Sequence, residues 1–141
     1  MSSISISIIL VDDHKLVRQL WVDLLQKNPL FKILADCESG AEAIQKTKEL
    51  NPDMLIVDIN MSPTNGFAVT TEIVKNHPSV KIIGLSVNNH PKYAMRMLEL
   101  GAKGYFTKTS SFKEITKGIL EVYNGNNYIC EEVKKLIPDV D

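Results

Sequence analysis

Cysteine and histidine are scarce in this chain. There are two cysteines and three histidines among 141 residues. Cys37 and Cys130 stand far apart and in no metal-like spacing, so free thiols of a cytosolic protein are the simplest reading. His14, His77 and His90 are scattered and offer no i, i+4 metal pair. No apolar run approaches the roughly 18 residues of a membrane span. The start, Met1-Ser2-Ser3-Ile4, has no basic n-region and no signal-peptide core. Net charge is −1, so nothing marks the chain itself as a binder of nucleic acid or anionic membrane. If it acts on DNA, the basic surface that phosphates require must come from elsewhere. Internal repeats and low-complexity segments are missing too.

What remains is an ordinary globular composition, 44% apolar and 23% charged. The length suits one domain with a real core and is too short for two comfortable ones. Four apolar runs each end in a polar residue. Ile8-Ile9-Leu10-Val11 runs into Asp12-Asp13, and Met54-Leu55-Ile56-Val57 runs into Asp58. Lys81-Ile82-Ile83-Gly84-Leu85 runs into Ser86, and Gly104-Tyr105-Phe106-Thr107 runs into Lys108. Continuous apolar runs suit parallel strands covered on both faces. In an open parallel sheet all these polar side chains share one edge, where ligands of α/β sheets bind. Three carboxylates, a hydroxyl and an ammonium there describe a divalent metal site beside an acceptor aspartate. A weaker run, Phe31 to Ala35, reads as an edge strand.

Helical periodicity fills the gaps. Val17, Leu20, Trp21 and Leu24 make one face of a first helix that ends before Asn28-Pro29. Ser39-Gly40-Ala41-Glu42 and Ser111-Phe112-Lys113-Glu114 read as capping boxes opening the second and fifth helices. A third helix spans about Gly66 to Asn76. Pro91 suits the first turn of a fourth, with Ala94, Met97 and Leu98 inward and Gly101 as its stop. Ile115, Ile119 and Val122 face inward from the fifth, which ends near Asn124-Gly125. Glu131 to Ile137 reads as a short charged helix. Alternating strands and helices of these lengths imply a right-handed α/β sandwich.

The ordered set Ile8-to-Asp13, Asp58, Ser86 and Gly101-Ala-Lys-Gly-Tyr-Phe-Thr-Lys108 resembles the receiver domain of two-component response regulators. Leu85-Ser-Val-Asn-Asn-His90 and Asn124-Gly-Asn-Asn-Tyr128 look most like regulators of the LuxR/NarL type. The resemblance implies a doubly wound, five-stranded parallel sheet, flavodoxin-like with order 2-1-3-4-5, and five flanking helices. It implies a receiver over 1–127, with 128–141 as an extension or the start of a linker to an output domain.

The resemblance also implies roles. Asp58 is the phosphoacceptor. Asp12, Asp13 and Asp58, with the Asn60 backbone carbonyl, hold Mg²⁺. Lys108 and Ser86 contact the phosphoryl oxygens, and Ser86 and Tyr105 form the switch. The implied phosphodonor is a sensor histidine kinase. The implied output is a homodimer when phosphorylated, reaching DNA only through a separate output domain. A cytoplasmic location without a membrane partner follows. The alternative is a free-standing receiver acting in a phosphorelay or by protein contact.

Two further readings fit less well. Phosphatases with an aspartate nucleophile typically place a second aspartate two residues later, where this chain has Asn60. A flavin-binding domain would want a Ser/Thr/Gly-rich phosphate loop after the first strand, where Asp12-Asp13-His14 stands. Two departures from the receiver pattern matter. Met61-Ser62-Pro63 puts proline one place later than Met-Pro. Thr109 follows Lys108 where many receivers have proline with a cis bond, so Lys108 is expected to be aimed either less rigidly or by another route.

Overall fold

The computed structural model describes residues 4–138. Its strands are β1 (Ile6–Val11), β2 (Phe31–Cys37), β3 (Met54–Asp58), β4 (Lys81–Ser86), β5 (Gly104–Thr107) and β6 (Tyr128–Ile129). The helices are α1 (Lys15–Gln26), α2 (Gly40–Leu50), α3 (Gly66–Asn76), α4 (Pro91–Glu99), α5 (Phe112–Tyr123) and α6 (Glu131–Lys134). The strands form one parallel sheet in the order β2-β1-β3-β4-β5-β6. The expected order 2-1-3-4-5 is present, and a sixth short strand extends it beyond the five expected. Tyr128–Ile129 is too short to leave a periodic signal, so sequence pattern does not mark it.

Helices on both faces bury the central strands completely. Ile8, Ile9, Leu10 and Val11 of β1 and Met54 to Val57 of β3 have no exposed surface. Each such large aliphatic side chain contributes about 1.5–3 kcal/mol on leaving water. Edge strand β2 alternates burial less cleanly, as its weaker apolar run suggested.

α1 departs from the expected stripe. Its buried residues are Trp21, Val22 and Leu25, with Val17 and Leu24 half-buried against the core, while Leu20 is 67% exposed. Arg18 accounts for the rotation. Its Nε binds Asp36 Oδ1 at 2.8 Å and its Nη1 donates to the Asp12 carbonyl, also at 2.8 Å. Arg18 therefore faces the sheet one turn before Trp21 and Val22 and two turns before Leu25, and Leu16 and Leu20 face outward.

Helix ends follow the capping signals with one change. Ser39 Oγ accepts from Glu42 N–H, and Glu42 Oε1 reaches back to Glu38 N–H. Ser111 Oγ likewise accepts from Glu114 N–H. The Glu114 carboxylate, however, turns to the C-terminal segment and accepts from Tyr128 Oη and Glu131 N–H. Gly101 ends the α4 region with φ +109°, a left-handed backbone that glycine adopts without penalty. Gly66, at the start of α3, lies against the end of β3. A Cβ there would sit 2.5 Å from Ile59 Cα and 2.7 Å from the Asp58 carbonyl, so only glycine lets α3 approach the end of β3 this closely.

Candidate phosphoacceptor site

The strand order reverses at β1, which has β2 on one side and β3 on the other. The crevice at such a reversal lies outside the carboxyl ends of the strands. Asp12 and Asp13 follow β1, and Asp58 ends β3. Ser86 ends β4, and Lys108 follows β5. One rim thus carries all five polar groups that the sequence singled out.

Lys108 joins the acidic groups. Its Nζ lies 2.9 Å from Asp12 Oδ2 and 3.1 Å from Asp58 Oδ2. The two carboxylate side chains are 1% exposed and Lys108 is 13% exposed. Asp58 Oδ1 accepts from Asn60 N–H, and Asp12 Oδ1 accepts from His14 N–H, both at 2.9 Å. Burial raises the pKa of Asp58, against the Asn60 N–H and Lys108, which lower it, while Asp12 adds repulsion. Burial works against the charge on Lys108, but its contact with Asp12 and the charge of Asp58 outweigh that and raise its pKa.

Asp13 is exposed and sits 3.1 Å from His14 Nδ1. Ligand atoms of Asp12, Asp13, His14 and Asp58 all lie within 4.8 Å of one another. The cap of α1 is His14, and no side chain bonds there. The donor set suits a hard cation, since three carboxylates dominate it. Asp12 Oδ2 strengthens the fit: it is buried and makes no directed hydrogen bond, its approach to Lys108 being a charge contact.

The other rim groups form a second cluster. Ser86 Oγ donates to Asn60 Oδ1 at 2.7 Å and accepts from Asn88 N–H at 3.0 Å. Tyr105 is fully buried, and its Oη donates to the Asn88 carbonyl at 2.7 Å. Burial pushes its phenol up to about 12. Asn88 backbone therefore links the serine to the tyrosine. Sequence reading did not see this, because a backbone relay carries no residue signature. Nor did it see that the Asn60 side chain holds Ser86.

A groove of about 520 Å³ opens onto this rim. Val17, Leu20, Trp21 and Leu24 of α1 line one side, with Val87 and Lys108 opposite. Among the described residues the one cis peptide is Ser62–Pro63, so the Lys108–Thr109 bond is trans.

Comparison with known proteins agrees with this geometry. The sequence profile of the response regulator receiver domain matches residues 8–120. The transcriptional regulatory protein DegU of Brevibacillus brevis is 33% identical over 128 residues, 91% of this chain and 54% of that protein. The transcriptional regulatory protein LnrK of Bacillus subtilis is 35% identical over 128 residues, 91% of this chain and 58% of that protein. The chain thus spans a little over half the length of these relatives. A LuxR-family two-component response regulator from Aurantimonas superposes with a TM-score of 0.90 at 26% identity, covering 94% of this chain and 95% of that one. A LuxR-family DNA-binding response regulator from Staphylococcus aureus gives 0.79 at 32% identity, covering 84% and 99%. With Asp58, the acidic pair, the serine and the lysine gathered at one sheet edge, this chain belongs to the response regulator receiver domain family, and its relatives are of the LuxR/NarL type.

Proposed function

We propose that this chain accepts a phosphoryl group on Asp58 from a sensor histidine kinase and thereby changes its self-association. The observation that carries the reading is the lysine ammonium shared between two buried carboxylates at the sheet edge. A carboxylate is a modest nucleophile, but phosphoryl transfer needs positioning and charge stabilisation more than nucleophilicity. An Asp58 carboxylate oxygen forms the new P–O bond while the P–N bond to the kinase imidazole breaks. Asn60 N–H fixes the orientation of the carboxylate throughout. Lys108 moves from pairing with Asp58 to pairing with the phosphoryl oxygens as a point charge. Ser86 Oγ turns from Asn60 to the same oxygens. Asn88 N–H then loses its acceptor, and the Tyr105 anchor on Asn88 is the next bond to feel the change.

Asp12, Asp13, Asp58 and the Asn60 backbone carbonyl would hold Mg²⁺. The ion supplies charge neutralisation for the transferring phosphoryl oxygens. The test is incubation with Mg²⁺ and a small phosphodonor, which should add one acid-labile phosphoryl group per chain. Asp13→Ala should weaken Mg²⁺ affinity by at least about tenfold, since losing even an outer-shell partner of a metal ligand typically costs about 10–100-fold. Glu99→Ala, on the far side of α4, should leave it unchanged. Trp21 is buried and lines the same groove as Lys108, so its fluorescence serves as the titration signal. Equal affinities for Asp13→Ala and wild type would remove Asp13 from the ligand set.

For the dimer, α6 packs against α4 and β5 and covers part of that side of the molecule. This favours the face of α1 and α5. Leu16 and Leu20 are exposed on α1, and Lys117, Leu120 and Tyr123 flank the buried stripe of α5. Beryllofluoride, as a phosphoryl mimic, should raise the dimer fraction in sedimentation. Leu120→Asp should cut association by at least tenfold, because a charge buried in such a contact costs more than about 1.4 kcal/mol. A monomer at all concentrations with the mimic present would count against a dimer switch. Transcriptional control through an output domain, in the cytoplasm, is the role that this reading gives the whole protein. Among the described residues no helix is long and apolar enough to cross a membrane.

A further inference from the structure

We infer that Glu132, in the C-terminal helix, is a positioning residue for the phosphoacceptor site. Its carboxylate ties together the two loops that carry Lys108 and Ser86. The inference rests on the receiver reading above and adds a residue that lies outside the matched segment 8–120.

The geometry is specific. Glu132 Oε1 accepts from Thr107 Oγ1 at 3.0 Å and from Thr109 Oγ1 at 3.1 Å. Those threonines are the residues immediately before and after Lys108. Glu132 Oε2 accepts from Asn89 Nδ2 at 2.9 Å. Asn89 stands three residues after Ser86 and next to Asn88, whose backbone binds both Ser86 and Tyr105. One carboxylate therefore holds the β5–α5 loop on one oxygen and the β4–α4 loop on the other. These hydrogen bonds, that from Asn89 first, hold the Glu132 carboxyl below the usual range, so it stays ionised and a strong acceptor at neutral pH.

Glu132 is itself held firmly. Cys130 and Val133 on either side of it are fully buried. Cys130 N–H donates to the Tyr105 carbonyl, extending the pairing of β6 with β5. Glu114 of α5 accepts from Tyr128 Oη and Glu131 N–H, which is why its capping box is only half formed. Two carboxylates thus fasten the segment: Glu114 fixes it to α5, and Glu132 fixes the site loops to it.

The arrangement answers the absence of a proline after Lys108. A proline at that position restricts the loop through its ring. Thr109 has ordinary backbone freedom, and its hydroxyl is bonded to Glu132 instead. With Thr107 bonded to the same oxygen, the backbone is held on both sides of Lys108, and the ammonium has a fixed base from which to reach Asp12 and Asp58. Because coupling free energies are reciprocal, a shift of Lys108 or Asn89 on phosphorylation is felt by the C-terminal helix through the same bonds.

The experiment compares wild type, Glu132→Ala, Glu132→Gln and Thr109→Val. It measures the initial phosphorylation rate against small-phosphodonor concentration, Mg²⁺ affinity, and amide exchange of residues 107–110. Glu132→Ala should lower the saturating rate by about tenfold, below the roughly hundredfold that a full 1 Å misplacement can cost, because Lys108 keeps its contacts with Asp12 and Asp58. Mg²⁺ affinity should stay within about twofold, since Glu132 is no metal ligand, and the loop amides should exchange faster. Glu132→Gln should recover most of the rate, because its amide oxygen still accepts both threonine hydroxyls and its NH₂ meets Asn89 after that amide flips. Thr109→Val leaves α6 untouched and should show a smaller loss in the same direction, which keeps the test valid if Glu132→Ala folds poorly. Equal rates in wild type, Glu132→Ala and Thr109→Val would overturn the inference, as would a Gln variant as slow as the Ala variant. Failure of wild type to take up phosphate would instead overturn the receiver reading.

Discussion

Asp58→Asn should abolish acid-labile phosphate incorporation and raise the melting temperature of the metal-free protein. The first effect is total, because the amide nitrogen and oxygen cannot form the acyl phosphate. The second follows from burial. Asp58 is almost fully enclosed, and its pKa is raised by desolvation despite the Asn60 N–H and Lys108. A carboxyl with a raised folded pKa binds its proton more tightly folded than unfolded. Its stabilising contribution is present in acid and is lost as pH rises through the folded value. The isosteric amide keeps an acceptor for Asn60 N–H without the buried charge. The advantage of the variant over wild type should therefore be largest near neutral pH and should shrink as pH falls into the carboxylate range. Thermal melts in chelator from pH 4 to 8, with phosphate incorporation measured alongside, read both effects. Stoichiometric labelling of the variant would sink the assignment of Asp58.

The rim was legible in the sequence because parallel strands translate directly into position. Each of the four buried runs ends one residue from a chemical group, and a parallel sheet brings those ends together whatever the helices do. Helix faces were less secure. In α1 the apolar set Val17, Leu20, Trp21 and Leu24 has good helical spacing, yet the core fully takes Trp21, Val22 and Leu25, with Val17 and Leu24 half-buried against it and Leu20 exposed. The deciding contact is Arg18 with Asp36 and the Asp12 carbonyl, a tertiary pairing that periodicity cannot see. The same limit hid β6, because two residues cannot show alternation. The short charged helix read over Glu131 to Ile137 is there as α6, Glu131–Lys134, but its contacts are tertiary and leave no pattern. Glu132 was hidden for that reason, although Thr109 in place of proline already set the loop after Lys108 apart.

Lys108→Met gives the other large effect, and it separates the roles of charge and packing. Methionine keeps an unbranched stem of similar length, so little packing is lost. What disappears is the ammonium between Asp12 and Asp58, each 1% exposed. Breaking a buried pair by removing one partner typically costs about 3–5 kcal/mol, because the remaining charge is left uncompensated. Here two like charges remain and face each other. The metal-free variant should lose stability on that scale, whereas Lys103→Met at an exposed position should change it by less than about 0.5 kcal/mol. Acid should restore part of the loss. Without Lys108 the carboxylates disfavour each other's charge, so the raised pKa of Asp58 climbs further. The deficit should then be full at neutral pH and shrink as pH falls through that higher value. Mg²⁺ should restore stability too, since a cation that binds only the folded acidic cluster stabilises by mass action. The variant should therefore melt far below wild type in chelator and closer to it in millimolar Mg²⁺, while phosphorylation stays impaired because the phosphoryl oxygens still lack their ammonium. Identical melting of the variant in chelator and in Mg²⁺ would mean that the acidic cluster is not the metal site. Identical melting of variant and wild type in chelator would mean that Lys108 does not balance the buried carboxylates.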